Sequence, residues 1–268
     1  MYSMLMSVYK KEKAENLRLS VESMMKQTVP PDDAVLYCDG RLTKELYDTI
    51  DRLKEKYDIL NVLYNDENIG LGKALAKGLK SCKYEIVARM DSDDIAFPDR
   101  MERQLEAFSR FGADIVSGTV EEFEGDMGNI IGIKSLPQYD EQIKKYARKR
   151  NPFNHPCVAF KKESVLKAGN YQHCPYFEDY WLWLRMLKNG CVGYNVPKAV
   201  LHMRSGEQLY MRRGGKDYIR CALDFRKMAR RSGFCSMTDY ITACTGHIVA
   251  AAVPNKLRMI IYSKVLRK

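Results

Sequence analysis

No run of uncharged residues in this chain approaches the roughly 20 that a membrane-spanning helix needs. The longest late one, residues 240–253, holds 14 residues and includes Gly246 and His247. The start, Met1 to Tyr9, lacks a basic lead and a long apolar core, so no secretory leader is expected. The eight cysteines, at 38, 82, 157, 174, 191, 221, 235 and 244, never fall as Cys-x-x-Cys, which argues against a structural zinc site. Reduced cytoplasmic thiols, several of them core filler, are the default reading. Internal repeats and low-complexity segments are also missing. Gly70-Leu71-Gly72 begins a dinucleotide fingerprint, but Leu75 stands where its third glycine belongs. It also follows the third apolar run rather than the first. Nicotinamide binding is therefore disfavoured, and these glycines read as permitting a tight strand-to-helix turn.

What is present is an ordinary globular composition, 46% hydrophobic and 29% charged over 268 residues. That length suits one large domain, or one domain with an appendage. The charge is uneven. Residues 201–268 carry 14 Lys+Arg against 4 Asp+Glu, which is the whole of the net +10. Residues 1–200 therefore sum to zero, and the basicity belongs to a tail segment.

Apolar runs at 3–9, 34–38, 59–64, 84–90 and 113–116 read as strands. Between them lie helical patterns at 12–27, 43–57 (capped by Thr43), 71–81 and 98–111, the last opened by Pro98 and closed by Gly112. Strands alternating with helices predict β-α-β units and a mostly parallel sheet. In such sheets ligands bind beyond the carboxyl ends of the strands, where Tyr9, Asp39, Asn65 and Asp91 all fall. Later residues are less regular. Residues 121–132 read as a hairpin or loop, 144–150 as a solvated basic helix face and 157–160 as a short strand. A helix over 162–168, a helix opened by Glu178 and Asp179, and a strand over 192–200 follow. Residues 210–231 read as a basic helical region. Beyond Pro254, Leu257, Ile260, Ile261, Val265 and Leu266 form an apolar stripe among Lys256, Arg258, Lys264, Arg267 and Lys268. That stripe suits either packing on the domain or contact with an anionic membrane surface.

The central stretch is Ala88-Arg89-Met90-Asp91-Ser92-Asp93-Asp94. Alternate strand residues point the same way, so Asp91 and Asp93 can aim at one spot. Converging carboxylates suit a hard divalent cation, Mg2+ or Mn2+, that keeps coordination sites for phosphates. The plainer alternative is a solvated turn in which Asp94 or Asp99 caps the next helix. Glu178-Asp179 likewise has two readings. The acids interact favourably with the positive end of their helix, or one is a general base in a partly apolar cleft. A lone His155 reads more readily as a packed residue than as a catalyst.

Taken in order, Met6-Ser7-Val8-Tyr9, Gln27-Thr28-x-Pro-x-Asp, Cys38-Asp39-Gly40, Glu67-Asn68-Ile69-Gly70-Leu71, Arg89-Met90-Asp91-Ser92-Asp93-Asp94, Asn154-His155-Pro156 and Glu178-Asp179 form a joint pattern. It resembles family 2 glycosyltransferases of the GT-A fold, in the branch that builds bacterial surface polysaccharides of the amylovoran type, over about residues 3–204. The resemblance implies an α/β, Rossmann-like, mostly parallel sheet flanked by helices. It divides the chain into a nucleotide-sugar half (1–112), an acceptor half (113–204) and a basic helical C-terminal segment (205–268). It implies inverting transfer of a hexose from a UDP-sugar to a hydroxyl of a glycan or lipid-linked acceptor, with Mn2+ or Mg2+.

By the same resemblance Asp93 is the main metal ligand, Asp91 touches metal and donor, and His202 completes the metal shell unless Arg204 is the functional residue there. Ser7, Tyr9, Asp39, Asn68 and Arg89 line the nucleotide, with Asp39 on the uracil ring. Asp179 is the catalytic base, and Asn154, His155 and Glu178 line the acceptor site. Two departures stand out: Cys38 where many relatives have a second acid, and Leu75 where many have an arginine, for which Lys73 and Arg89 are the candidate substitutes. The implied location is the cytoplasm, peripheral on the inner face of the cell membrane, with no nucleic-acid partner. Competing readings are a metal-dependent nucleotidyltransferase, although Lys10-Lys11-Glu12-Lys13 lacks the glycines of a triphosphate loop, and a nucleic-acid-binding protein using the basic tail. A glycosidase built on Glu178 and Asp179 fails because neighbours on one helical turn diverge and do not flank one bond.

Overall fold

The computed structural model of the protein describes residues 1–205 and 215–253. Three β-α repeats and a fourth strand come first: β1 (Tyr2–Val8), α1 (Ala14–Met25), β2 (Asp33–Asp39), α2 (Lys44–Lys56), β3 (Leu60–Asn65), α3 (Leu71–Ser81) and β4 (Ile86–Asp91). These strands are parallel, in the order β3-β2-β1-β4. β1, β2 and the middle of β4 are buried on both faces and largely apolar, which is why they read as continuous runs, whereas the outer β3 leaves Asn61 and Tyr64 exposed. Their register sets Ser7 beside Tyr37 and Asp91, and Asp39 beside Asn65. The four carboxyl ends therefore share one edge, as expected. Thr43 accepts a hydrogen bond from the Leu46 amide at 3.4 Å and caps α2.

The second half interrupts the parallel order. After β5 (Ile95–Ala96) and α4 (Arg100–Phe111) come β6 (Ile115–Phe123), β7 (Ile130–Lys134), α5 (Asp140–Ala147), a 3-10 turn (His155–Cys157), β8 (Ala159–Lys161), α6 (Lys162–Lys167), α7 (Glu178–Lys188) and β9 (Gly193–Arg204). The short β8 wedges antiparallel between β4 and β6, while β9 runs parallel to β6 and antiparallel to β5. The expected hairpin is β6–β7. Both β6 and β9 run well past the ends expected from apolar runs. Each includes polar residues, and their mutual pairing, with register shifts near Gly118 and Thr119, carries Ser117, Thr119 and Glu122 into the interior.

One core layer packs Leu17, Val21, Leu46, Ile50, Met101 and Phe108 of α1, α2 and α4 on the sheet. The opposite layer packs Leu75, Leu79, Trp183 and Leu187 of α3 and α7, joined by Phe225 of α8 (Gly215–Arg231). In α8, Tyr218, Ala222, Phe225 and Ala229 face inward as their spacing predicts. A Ser236–Asp239 capping box starts α9 (Met237–Ala252). The buried Arg226 ties this helical pair to the domain. Its guanidinium donates to the Lys149 carbonyl at 2.6 Å, to the Tyr180 hydroxyl at 3.2 Å and to His247 Nε2 at 3.2 Å. The part of the expected helical region before residue 215, and the stripe from Leu257 to Leu266 with its basic flank, lie outside the described residues.

Candidate active site

Strand β4 is buried from Val87 to Met90 and ends at the half-exposed Asp91. Beyond it the chain turns so that Asp91, Asp93 and Asp94 each offer a carboxylate oxygen within 4.8 Å of the other two. The turn is built rather than loose. Ser20 Oγ donates to the Asp91 carbonyl at 2.6 Å, and Ser92 Oγ to Glu12 at 2.9 Å. From β9, the Arg204 amide donates to Asp94 Oδ1 at 2.7 Å and its Nε to the Asp93 carbonyl at 3.1 Å.

Neither acid offered as a helix cap acts as one. Helix α4 begins at Arg100, and Asp99 pairs with Arg103 instead of capping. Asp94 is buried against Arg204, and its Oδ2 has no hydrogen-bond partner among the described residues. Burial, then Asp91 and Glu12, push the Asp93 carboxyl up to about 7. Burial, then Asp93 and Asp91, push Asp94 well above the carboxylate range. Three converging carboxylates, two of them raised and one of those with an orphaned buried oxygen, fit a hard divalent cation bound through oxygen.

Arg89 lies beneath this cluster, one residue into β4 from Met90. It is 1% exposed and pairs with Asp91, and its Nε and Nη1 have no hydrogen-bond partner among the described residues. It therefore acts from inside the protein, whereas Lys73 on α3 is exposed and Leu75 sits in the core. Arg100, also fully buried, donates to the Arg89 carbonyl at 2.7 Å and fixes the strand there.

Glu178 and Asp179 open α7. Asn151 Nδ2 donates to Asp179 Oδ2 at 2.6 Å. Burial raises the Asp179 carboxyl, opposed by the Asn151 bond, the Tyr180 amide and the charges of Arg89 and Lys134. Burial pushes Glu178 up to about 6. Between the two sides, His155 Nε2 lies 3.0 Å from the Tyr171 hydroxyl. Burial and then Arg89 hold this imidazole well below its usual range, hence neutral near pH 7. Burial raises the Tyr171 phenol, which also feels Arg89, Asp179 and Asp91. Acid cluster, arginine and α7 acid thus share one electrostatic neighbourhood.

The other expected residues fall as follows. Asp39 is 4% exposed; its carboxylate accepts from the Ile69 and Gly70 amides at 2.8 and 3.0 Å, and its carbonyl from Asn68 Nδ2 at 3.0 Å. Both residues therefore clamp the 68–70 loop, and a contact from Asp39 to a base would use lone pairs left over. The turn needs Gly40, at φ +90° with a Cβ position 2.9 Å from the Asn68 nitrogen. Ser7 and Tyr9 are half-buried at the end of β1. Asn154 is buried and donates to the Gly118 and Lys134 carbonyls at 2.8 and 3.2 Å, so it shapes its loop from within. His202 is not part of the acid cluster: its ring stacks on Phe97 at 4.0 Å, with Nδ1 3.3 Å from Glu121. Arg204, two residues on along β9, is the residue that reaches the acids. Asn151, Tyr171 and Glu12 carry no motif of their own and become visible only through these contacts.

A parallel half-sheet ending in converging acids, faced by an acid-headed helix, defines the GT-A class of glycosyltransferase. The fold matches that of the mannosyltransferase PcManGT from Pyrobaculum calidifontis, solved with GDP-Man and Mn2+, at a TM-score of 0.64 and 14% identity, over 97% of this chain and 78% of that one. It also matches S. aureus TarS 1-349 with UDP-GlcNAc, at 0.63 and 14%, over 99% and 71%. The chain belongs to glycosyltransferase family 2, whose profile, described as Glycosyl transferase family 2, matches residues 3–169. Among its relatives, the UDP-Gal:alpha-D-GlcNAc-diphosphoundecaprenol beta-1,3-galactosyltransferase of Escherichia coli is 37% identical over 100% of this chain and 97% of its own length. The amylovoran biosynthesis glycosyltransferase AmsE of Erwinia amylovora is 36% identical over 98% of each.

Proposed function

We propose that this protein transfers a hexose, with inversion, from a UDP-sugar to a hydroxyl of a lipid-linked or glycan acceptor in surface-polysaccharide synthesis. The full-length similarity to the galactosyltransferase favours galactose as the sugar and a sugar-diphospho-lipid as the acceptor. The observation that carries the reading is the meeting, around Arg89, of the acid cluster at the end of β4 with Asp179 at the head of α7. We assign residues 1–112 to the donor and 113–204 to the acceptor, with Ser7, Tyr9, Asp39 and Asn68 bordering the nucleotide.

In this reading Asp93, Asp91 and Asp94 would hold Mn2+ or Mg2+, which offsets the charge that develops as UDP leaves. His202 stands behind this shell and Arg204 fixes it. Asp179 takes the proton of the acceptor hydroxyl as that oxygen attacks the anomeric carbon. Burial raises the Asp179 carboxyl, while Asn151 and the Arg89 charge favour its ionised form and Asn151 aims it. Neutral His155 and Tyr171 form the floor between donor and acceptor, and Glu178 borders the acceptor. No described helix is long and apolar enough to cross a membrane, which is compatible with work at the inner face of the cell membrane.

The test is turnover with UDP-galactose and a GlcNAc-diphosphoryl lipid, read as UDP release with Mn2+ and with EDTA. Asp179→Asn is expected to bind UDP with Mn2+ normally and to lose about 10²–10⁴-fold in rate. Near-normal turnover by that variant would remove Asp179 as base. Pyrophosphate appearing in place of UDP would make the protein a nucleotidyltransferase.

A further inference from the structure

The last two described helices divide between them two features that the transfer chemistry leaves unused. In α9, Met237, Ile241, Ile248 and Val249 are 54%, 57%, 44% and 53% exposed. Met237, Ile241 and Ile248, spaced four and seven apart, share a stripe opposite the buried Asp239, Ala243 and Ala250. The other exposed positions of this helix hold only threonine, glycine and alanine. Residues 240–253 contain no Lys, Arg, Asp or Glu, so no charge interrupts that face. An apolar face of this kind marks a contact surface.

Helix α8, packed against α9, carries the charge. Lys216, Arg220, Lys227 and Arg231 are exposed and form one stripe opposite the buried Tyr218, Ala222, Phe225 and Ala229. Asp217 and Asp224 lie along its flank, and Asp217 pairs with Arg220 at 3.4 Å. Four cations against two acids leave this face basic. Residues 254–268, which follow α9 in the chain, add five cations and no acid.

We propose that the α8–α9 pair is a docking surface for an anionic bilayer. The exposed apolar residues of α9 enter the acyl boundary, and the α8 cations meet lipid phosphates. At 16 residues α9 is too short to span a bilayer, so it lies in the interface. A second copy meeting the same two helices would set basic stripe beside basic stripe, whereas anionic headgroups neutralise both. The surface adjoins the acceptor side. Arg226 of α8 donates to the hydroxyl of Tyr180, which follows Asp179, and to the carbonyl of Lys149, two residues before Asn151. For the lipid-linked acceptor of the reading above, docking here would hold the headgroup near α7, although the docking itself does not rest on that reading.

The test is flotation of the full chain with vesicles of equal parts phosphatidylcholine and phosphatidylglycerol, at low and high salt. Ile241→Gln/Ile248→Gln is expected to weaken binding about tenfold or more at both salt levels, since burying one such side chain is worth about that much. Lys227→Gln/Arg231→Gln should weaken binding at low salt and flatten the salt dependence. Ile133→Gln, at an equally exposed position on β7, should bind as wild type does. Melting temperature without vesicles and UDP binding with Mn2+ should be unchanged in all three. An isoleucine double variant that binds like wild type overturns the proposal. So does one that melts lower without vesicles, because the chain itself then covers the face, or one that loses a dimer in sedimentation. An equal loss in Ile133→Gln overturns the assignment to α9. UDP binding is read separately, so failure here leaves the transfer reading standing.

Discussion

Asp93 is a single residue whose burial among other acids works against stability. Its carboxyl, pushed up to about 7 by burial, Asp91 and Glu12, takes up a proton more readily folded than unfolded. Folded protein therefore binds more protons than unfolded between the ordinary carboxylate range and about pH 7, and stability falls as pH rises through that window. One pH unit of such a shift is worth about 1.4 kcal/mol. Metal-free Asp93→Asn is expected to melt above wild type at pH 8, with the gap shrinking as pH is lowered toward 5. Measuring the difference between the two proteins cancels the opposing effect of the buried neutral histidines. Added Mn2+ should reverse the order at pH 8, raising the melting temperature of wild type and not of the variant. Scans in which the two proteins keep a constant gap across this range would contradict the repulsion among these acids.

At the scale of elements, the first half was readable because its inner strands are buried on both faces and so spell themselves as apolar runs, with Asp39 and Asp91 at their ends. The second half was not, because polar residues there are paired rather than exposed. Thr119 donates to the Pro197 carbonyl in β9 and Asn195 to the loop carbonyls of Pro137 and Pro152, so the continuation of β6 and the length of β9 have no hydrophobic signature. The site divides in the same way. Asp91, Asp93 and Asp179 could be found from spacing and motif, whereas Asn151 and Tyr171 reach the acids through tertiary contacts that leave no local pattern.

Helix α8 illustrates a legible element with an illegible task. Its apolar spacing was plain, but Arg226 within it is buried and bonded to Lys149, Tyr180 and His247. Lys149 precedes Asn151 by two residues, and Tyr180 follows Asp179. Arg226→Met is therefore expected to lower stability by about 1–3 kcal/mol, through carbonyl and hydroxyl groups left unpaired. Denaturant unfolding measures this. Hydrogen exchange should show faster exchange in α7 and in residues 147–151 together, and faster exchange in α8 alone would contradict the coupling.

For the whole molecule, the division of charge is the main clue to where it works. Residues 1–200 sum to zero, and residues 201–268 carry the entire net +10. Within α8, Lys216, Arg220, Lys227 and Arg231 are all exposed and recur at helical spacing. Each basic residue near an anionic bilayer contributes ~1 kcal/mol, screened by salt. Cosedimentation with vesicles is expected to rise with phosphatidylglycerol content and to fall between 50 and 300 mM salt, about a twofold change in screening length. Equal recovery on neutral and anionic vesicles would count against an inner-leaflet docking site.

The tight seat of Gly72 carries a lesson for anyone recombining such enzymes. A methyl group there would sit 3.0 Å from the Glu178 side chain. The first turn of α3 and the opening of α7 are far apart in sequence, so their fit is a joint property of both. A chimera that borrows its sugar-nucleotide portion from a cousin would have to import a glycine at this spot. Without it, the Glu178 side chain at the head of the helix bearing Asp179 would have to give way by a few tenths of an ångström.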